Sequence, residues 1–462
     1  MSINNKLFHS QQQRIQKYTK ETNSYTFFNL LTSPELLSSV EELLPEHRER
    51  LYPPTETLSM FLTQGMNQDR SCQKAVNDAA IQRIATGLPA ISTTTGGYCR
   101  ARQRLPLEMI SKLVCRSGEL IDKQMPTQWL WRGKRVHLID GTTVTMPDTT
   151  ENQAVYPQQS CQKSGLGFPI CRLVGVICLA SGAVLNASIG PFKGKGGDEQ
   201  SLLRNMLGTF NTGDLVLGDA YYGSYFLLAS LKEKGVDAVF EQMGARKRTT
   251  DFSKGKQLGV EDHLVELKKP KKKPGWMKQS QYDNSPDTLI IRELKVKGKL
   301  LITTLLSPKE ASKDDLKTLY KKRWQIEVDF RNIKTTMGME TLSCKTPEMN
   351  EKEIWVYFLA YNLIRLLMAQ SALLADILPR QLSFKHTLQC WLAWSQQSIF
   401  TNAEINEELL FILIAQKRIG NRSGRIEPRA VKRRPKPFPL LTKPRKEARA
   451  EIKKNGHPKK VR

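Results

Sequence analysis

At Arg135 the spacing of apolar residues along this 462-residue chain changes from helical to strand-like, and few folds accommodate the order of elements beyond that point. VHLID (136–140) is a short apolar run closed by an acid, with TTVTMP as its continuation or its partner. Two β-rich runs, Ile170–Leu179 and Ala183–Ile189, flank Ala180-Ser-Gly, a hairpin signal. Helix and strand patterns then alternate: Asp198–Leu207 helical, DLVLGD (214–219) a strand, Tyr222–Lys234 helical, DAVFEQ (237–242) a strand. Strands first and alternation afterwards predict an α/β fold, a mixed sheet flanked by helices, over residues 130–340.

That order is interrupted. Residues 243–285 are polar and contain KKPKKKPGWMK (268–278), which no packed core would use; strand-like runs return at Thr288–Leu294 and Leu300–Leu305. Residues 243–305 therefore read as a mainly β insertion. Residues 1–125 read as an all-α N-terminal domain, with Ser33 as N-cap before Pro34 and further helices from Thr55, from Cys72 and around Tyr98. Residues 341–416 read as helical, at about 352–372, 383–396 and 403–415. The tail, 417–462, holds 18 Lys and Arg against 3 acids, with six Pro, and is expected to be disordered without a partner.

A formal charge of +26 and a pI near 9.7 point to a polyanionic partner, because unpaired cations gain by displacing counterions from phosphates. The eight Cys are scattered without a CxxC pair, so neither a zinc site nor a disulfide framework is expected. The polar N-terminal stretch predicts no signal peptide. The apolar run Ile354–Leu374 is broken by Asn362, Arg365 and Gln370, so no membrane span is expected. These features favour a cytoplasmic protein with direct access to DNA. Gly194-Lys-Gly-Gly lacks P-loop spacing, which argues against nucleotide hydrolysis.

One stretch carries the candidate chemistry: YKKRWQIEVDFRNIK, residues 320–334. Wound as a helix with Tyr320 at zero, it puts Arg323 at about 300°, Lys334 at about 320° and Glu327 at about 340°. Leu319, Ile326, Phe330, Ile333 and Met337 form an apolar stripe beside that polar strip and would face a core. Asp329, at about 180°, should point away, and Asp329→Asn should keep most activity. Two more acids, Asp140 and Asp219, close strand patterns, where ligands collect in open α/β sheets. Three converging carboxylates suit two Mg²⁺ or Mn²⁺ ions, which can activate the attacking oxygen and stabilise the leaving oxygen of a phosphodiester. Asp148, Asp198, Glu199 and Glu241 are spare acids near these positions in sequence, read as supporting or structural, with Glu199 the one among them expected to matter most; His137 reads as a core histidine.

Tyr320-x2-Arg323-x3-Glu327-x6-Lys334 resembles the Y-R-E-K signature of DDE transposases, and the chain is similar to the insertion sequence 4 family along most of its length. DGTTVTMPDT (140–149) and GDAYYGSY (218–225) resemble the family's first and second Asp regions. STTTGGYCRARQRLP (92–106) resembles its N-terminal domain, and EPRAVKRRPKPFPLL (427–441) its basic C-terminal stretch. The resemblance implies an RNase H-like catalytic domain with a mainly β insertion before the Glu helix. It implies that Asp140, Asp219 and Glu327 hold two divalent ions, Mg²⁺ or Mn²⁺. Tyr320 and Arg323 would grip a phosphate near the transposon end, Lys334 the DNA backbone, and Trp276 a flipped base. Lys271, Lys272 and Lys273 are further candidate DNA contacts. Ala220 departs from the pattern, since many relatives carry Arg after the second Asp. The implied activity is cut-and-paste transposition by a homodimer on paired, inverted-repeat DNA ends, with terminal hairpins as a hypothesis. A nuclease without integration, or an inactive DNA-binding remnant, are the alternatives.

Overall fold

The computed structural model describes residues 51–398, 407–420 and 443–455, except 86, 164, 195, 243 and 245–248. The helix expected after Ser33 and the basic stretch 427–441 lie outside these residues. Four helices open the described chain: α1 (Pro54–Met66), α2 (Cys72–Ala85), α3 (Gly96–Arg104) and α4 (Leu107–Lys123). Then come β1 (Val136–Thr145), α5 (Thr150–Val155), β2 (Ile170–Cys178), β3 (Val184–Pro191) and α6 (Glu199–Arg204). Next are β4 (Leu215–Leu217), α7 (Tyr225–Glu233), β5 (Asp237–Glu241), β6 (Lys256–Gly259) and β7 (Asp262–Lys268). They are followed by α8 (Gln279–Asn284), β8 (Thr288–Val296), β9 (Lys299–Thr303), α9 (Lys313–Lys321) and α10 (Gln325–Arg331). The last helices are α11 (Pro347–Leu374), α12 (Phe384–Ser398), α13 (Glu407–Gln416) and α14 (Arg445–Asn455).

The described strands form one nine-stranded sheet in the order β3-β2-β1-β4-β5-β9-β8-β7-β6. TTVT, the first part of TTVTMP, continues VHLID in a single strand, because β2 is long enough to pair with β1 from His137↔Cys178 to Thr145↔Ile170. β4 is parallel to β1 and to β5, and β9 joins antiparallel to β5. The strands of 243–305 therefore extend the sheet they interrupt. They carry their own buried polar contacts, an Arg292–Asp262 ion pair at 2.6 Å and a His263–Glu293 hydrogen bond at 3.2 Å.

Alternation along β1 and β4 serves two cores at once. Leu138, Val144, Leu215 and Leu217 pack on one face with Met109 and Leu113 of α4, Phe330 of α10 and much of α11. Ile139 and Val216 pack on the other with Leu202 and Leu203 of α6 and Leu227 and Leu231 of α7. α11 is long and apolar enough to cross a membrane, yet 89% of its most apolar window is buried in protein. Its interior polar residues have partners. Asn362 accepts from Val184 N (2.8 Å) and donates to Val184 O (2.8 Å) and Val114 O (3.2 Å), tying α11 to β3 and α4. Gly118 permits that closeness, since a Cβ there would lie 2.1 Å from Val184 O.

Two expectations change. The tail contributes a helix, α14, so part of 417–462 has regular structure. The polar stretch 320–334 is not one uniform helix. A capping box at Ser312 starts α9; a 3₁₀ turn (Lys322–Trp324) joins it to α10; and a π-helical turn (Asn332–Thr336) comes after α10. Its apolar stripe faces the core as expected, with Leu319, Ile326, Phe330, Ile333 and Met337 all buried.

Candidate active site at the open end of β4

Strand register decides where two of the acids meet. The last residue pair between β1 and β4 is Leu138↔Leu217. Asp140 and Asp219 each lie two residues beyond it, so both belong to the same side of the pleat. β4 ends there while β1 runs on to Thr145 against β2. Asp140 thus sits inside a strand rather than at its end, as the sequence pattern had implied. The opening beside it is made by the shortness of β4. Asp140 Oδ1 accepts from Gly141 N (2.8 Å). Asp219 is the N-cap of a 3₁₀ turn, Ala220–Tyr222, and accepts from Tyr221 N (2.8 Å).

The third candidate acid approaches from the helical layer. Arg323 Nη2 donates to Glu327 Oε1 at 3.0 Å, and Arg323 Nη1 lies 3.6 Å from Asp140 Oδ2. One guanidinium therefore bridges the strand acid and the helix acid. Lys334, in the π-helical turn, donates to Thr142 Oγ1 at 3.3 Å, two residues along β1 from Asp140. Tyr320 is buried, with Lys299 Nζ 5.6 Å from its ring centre, and burial pushes its hydroxyl pKa well up. Arg323, Glu327 and Lys334 thus gather along β1.

Asp329 points away, as its helical angle predicts, but is itself fully buried among charged partners. It takes Arg365 at 2.5 Å, Arg380 at 2.7 Å and the Tyr361 hydroxyl at 2.9 Å. Asp329→Asn, expected to keep most activity, would alter a carboxylate that two guanidinia share, so its effect falls on stability. Both Arg residues lie far downstream in sequence, so no local signal marks them as its partners.

Trp276 is half-exposed, with Arg204 over its ring at 3.7 Å and Phe226 edge-on at 6.4 Å. Lys271 and Lys272 are exposed, and Lys273 donates to Met277 O at 2.7 Å. His137 is buried in the core between Asp122 and Asp214.

The charges crowd. Burial, with Asp219 and Glu199 adding to it, raises the Asp140 pKa from 3.8 to about 6 against the pull of Gly141 N–H and Arg323. Glu199 is likewise raised, first by burial and then by Asp219 and Asp198, with Tyr222 and Arg172 opposing. Among the described residues no three His, Cys, Asp or Glu side chains gather closely enough to grip an ion as they stand. Arg323 itself occupies the space between Asp140 and Glu327 as a cation. An all-carboxylate donor set compensated by a positive group fits a hard divalent ion and gives thiophilic metals no ligand. The geometry offers carboxylates for such an ion and cations for a phosphate, side by side.

Residues 131–363 match the family described as the transposase DDE domain. Over 442 residues, 93% of this chain and 97% of the relative, the sequence is 27% identical to the transposase InsG for insertion sequence element IS4 of Escherichia coli (strain K12). A looser likeness links it to a piggyBac transposase synaptic complex with hairpin DNA solved by cryo-electron microscopy. That match has a TM-score of 0.43 and 10% identity and covers 87% of each chain.

Proposed function

The chain belongs to the DDE transposases, in their insertion sequence 4 family, and we propose that it cuts DNA at the ends of a mobile element and joins the freed 3′-hydroxyl to target DNA. The observation that carries this reading is the register of β1 and β4, which sets Asp140 and Asp219 together with Glu327 linked to Asp140 through Arg323. Divalent Mg²⁺ or Mn²⁺, two ions per site, held by Asp140, Asp219 and Glu327 would supply activation of the attacking oxygen and stabilisation of the leaving oxygen. Arg323 and Tyr320 hold the phosphate next to the cut, and Lys334 with Thr142 steadies the strand that leads from it. Held this way, the reacting groups need no covalent protein–DNA intermediate.

The order β3-β2-β1-β4-β5 supports reading residues 130–340 as RNase H-like, with 243–305 as its insertion. Residues 1–125 and the basic tail 417–462 contact double-stranded DNA, and Trp276 with Lys271, Lys272 and Lys273 forms a further contact. Two ends must be handled together, so a homodimer on paired ends, working in the cytoplasm at the nucleoid, completes the proposal. Asp219→Asn and Glu327→Gln are expected to abolish Mg²⁺-dependent cleavage of end-bearing DNA while end binding by gel shift persists. Normal cleavage by either variant overturns the assignment, and cleavage by the unaltered protein without strand transfer makes it a nuclease.

A further inference from the structure

Glu199 has no part in the triad, and its position is hard to explain as packing alone. It is the first residue of α6, where an acid ordinarily sits in solvent and gains a little from the helix dipole. Capping does not require it, because Asp198 is the N-cap and accepts from Ser201 N at 3.0 Å. Instead the Glu199 carboxylate lies flat on β1 at Gly141. A Cβ on Gly141 would lie 2.2 Å from the Glu199 carboxyl carbon and 2.4 and 2.7 Å from its two oxygens. Gly weakens a strand interior, so its presence beside Asp140 fits a site where another group must come close to the backbone.

Other side chains keep that carboxylate from swinging away. Tyr222, fully buried, donates to Glu199 Oε2 at 3.2 Å, and Arg172 Nε lies 4.0 Å from Oε1. Asp140 is met by Arg323 from the α10 side, and Gly141, the next residue, by Glu199 from the α6 side. Beyond Leu217, among the described residues, no strand separates the two layers on that edge of β1, so carboxylates from both can share one opening. Each of Asp140, Asp219 and Glu199 lies within range of another's charge.

We infer that Glu199 is a fourth carboxylate of the divalent-cation site, seated against Gly141 and aimed by Tyr222. The inference rests on the reading of Asp140 and Asp219 as cation ligands. Glu199→Gln is the cleanest probe, since the amide keeps the shape and can still accept from Tyr222. Mn²⁺ alone is titrated calorimetrically into the full chain without DNA, alongside Asp140→Asn and Gly141→Ala. Glu199→Gln is expected to weaken Mn²⁺ binding about tenfold or more and to raise the Mn²⁺ concentration needed for cleavage, with the circular dichroism spectrum and unfolding midpoint in EDTA not lowered. Gly141→Ala is expected to reproduce the loss by displacing the carboxylate. Wild-type Mn²⁺ affinity in Glu199→Gln, with Asp140→Asn impaired, overturns the inference and leaves the triad standing. Wild-type affinity in Asp140→Asn overturns the cation reading and this inference with it.

Discussion

Asp140→Asn should make the protein inactive and more stable, and the size of the gain can be worked from the site. The folded chain holds the Asp140 proton with a pKa of about 6, against 3.8 for the free side chain. The native state therefore binds that proton more tightly than the unfolded chain, so ionising the group works against folding. The sign is fixed: the penalty is absent below about pH 4, grows between about pH 4 and 6, and is complete above. Two pKa units correspond to about 3 kcal/mol at neutral pH. The neutral amide avoids this cost, and the weak attraction of Arg323 that it forgoes is already part of the net shift. In urea unfolding with EDTA, Asp140→Asn is expected to exceed the unaltered protein by about 2–3 kcal/mol at pH 7.5. The two should converge at about pH 4. Adding Mn²⁺ should narrow the gap at neutral pH, because a ligand that binds only the native state stabilises the unaltered protein more. A variant no more stable than the unaltered protein at pH 7.5, or one whose advantage persists undiminished at pH 4, refutes the reasoning.

Asp329→Ala is expected to cost about 3–5 kcal/mol, because it deprives the buried Arg365 and the partly buried Arg380 of their shared carboxylate. Equilibrium unfolding measures it, and a loss below about 1 kcal/mol would mean that the network contributes little. Arg323→Ala removes the guanidinium between Asp140 and Glu327. It should lower cleavage more than end binding while raising the Mn²⁺ affinity of the DNA-free protein; weaker Mn²⁺ binding would contradict its role as a resident counter-ion.

Periodicity read the local geometry well and the long-range partners poorly. The helical angles that align Arg323, Glu327 and Lys334 come from local winding, and the three still gather along β1 although a 3₁₀ turn and a π-helical turn interrupt it. The same angles turned Asp329 away from the site, yet its partners come from α11 and from the turn after it, which no spacing rule connects to residue 329. Asp140 looked like a strand end because the apolar pattern stops there. β1 continues through GTTVT because β2, unlike the short β4, supplies backbone partners along its length, and pairing of that kind is invisible in one strand's own residues. Gly141 beside an acid was a legible hint of close approach, but only the fold shows that Glu199 makes it.

The pairing of β9 with β5, from Val239↔Thr303 to Glu241↔Leu301, has a consequence for any attempt to shorten the chain. Without the strands between Gln242 and Leu305, β5 would become a bare edge with a row of unsatisfied amides and carbonyls, carrying the apolar run Ala238-Val-Phe. Such an edge invites pairing with another molecule's strand, so a trimmed catalytic core should form β-rich aggregates even if each remaining contact survives. What reads in one dimension as a segment spliced into an enzyme acts in three as the sheet's protective border.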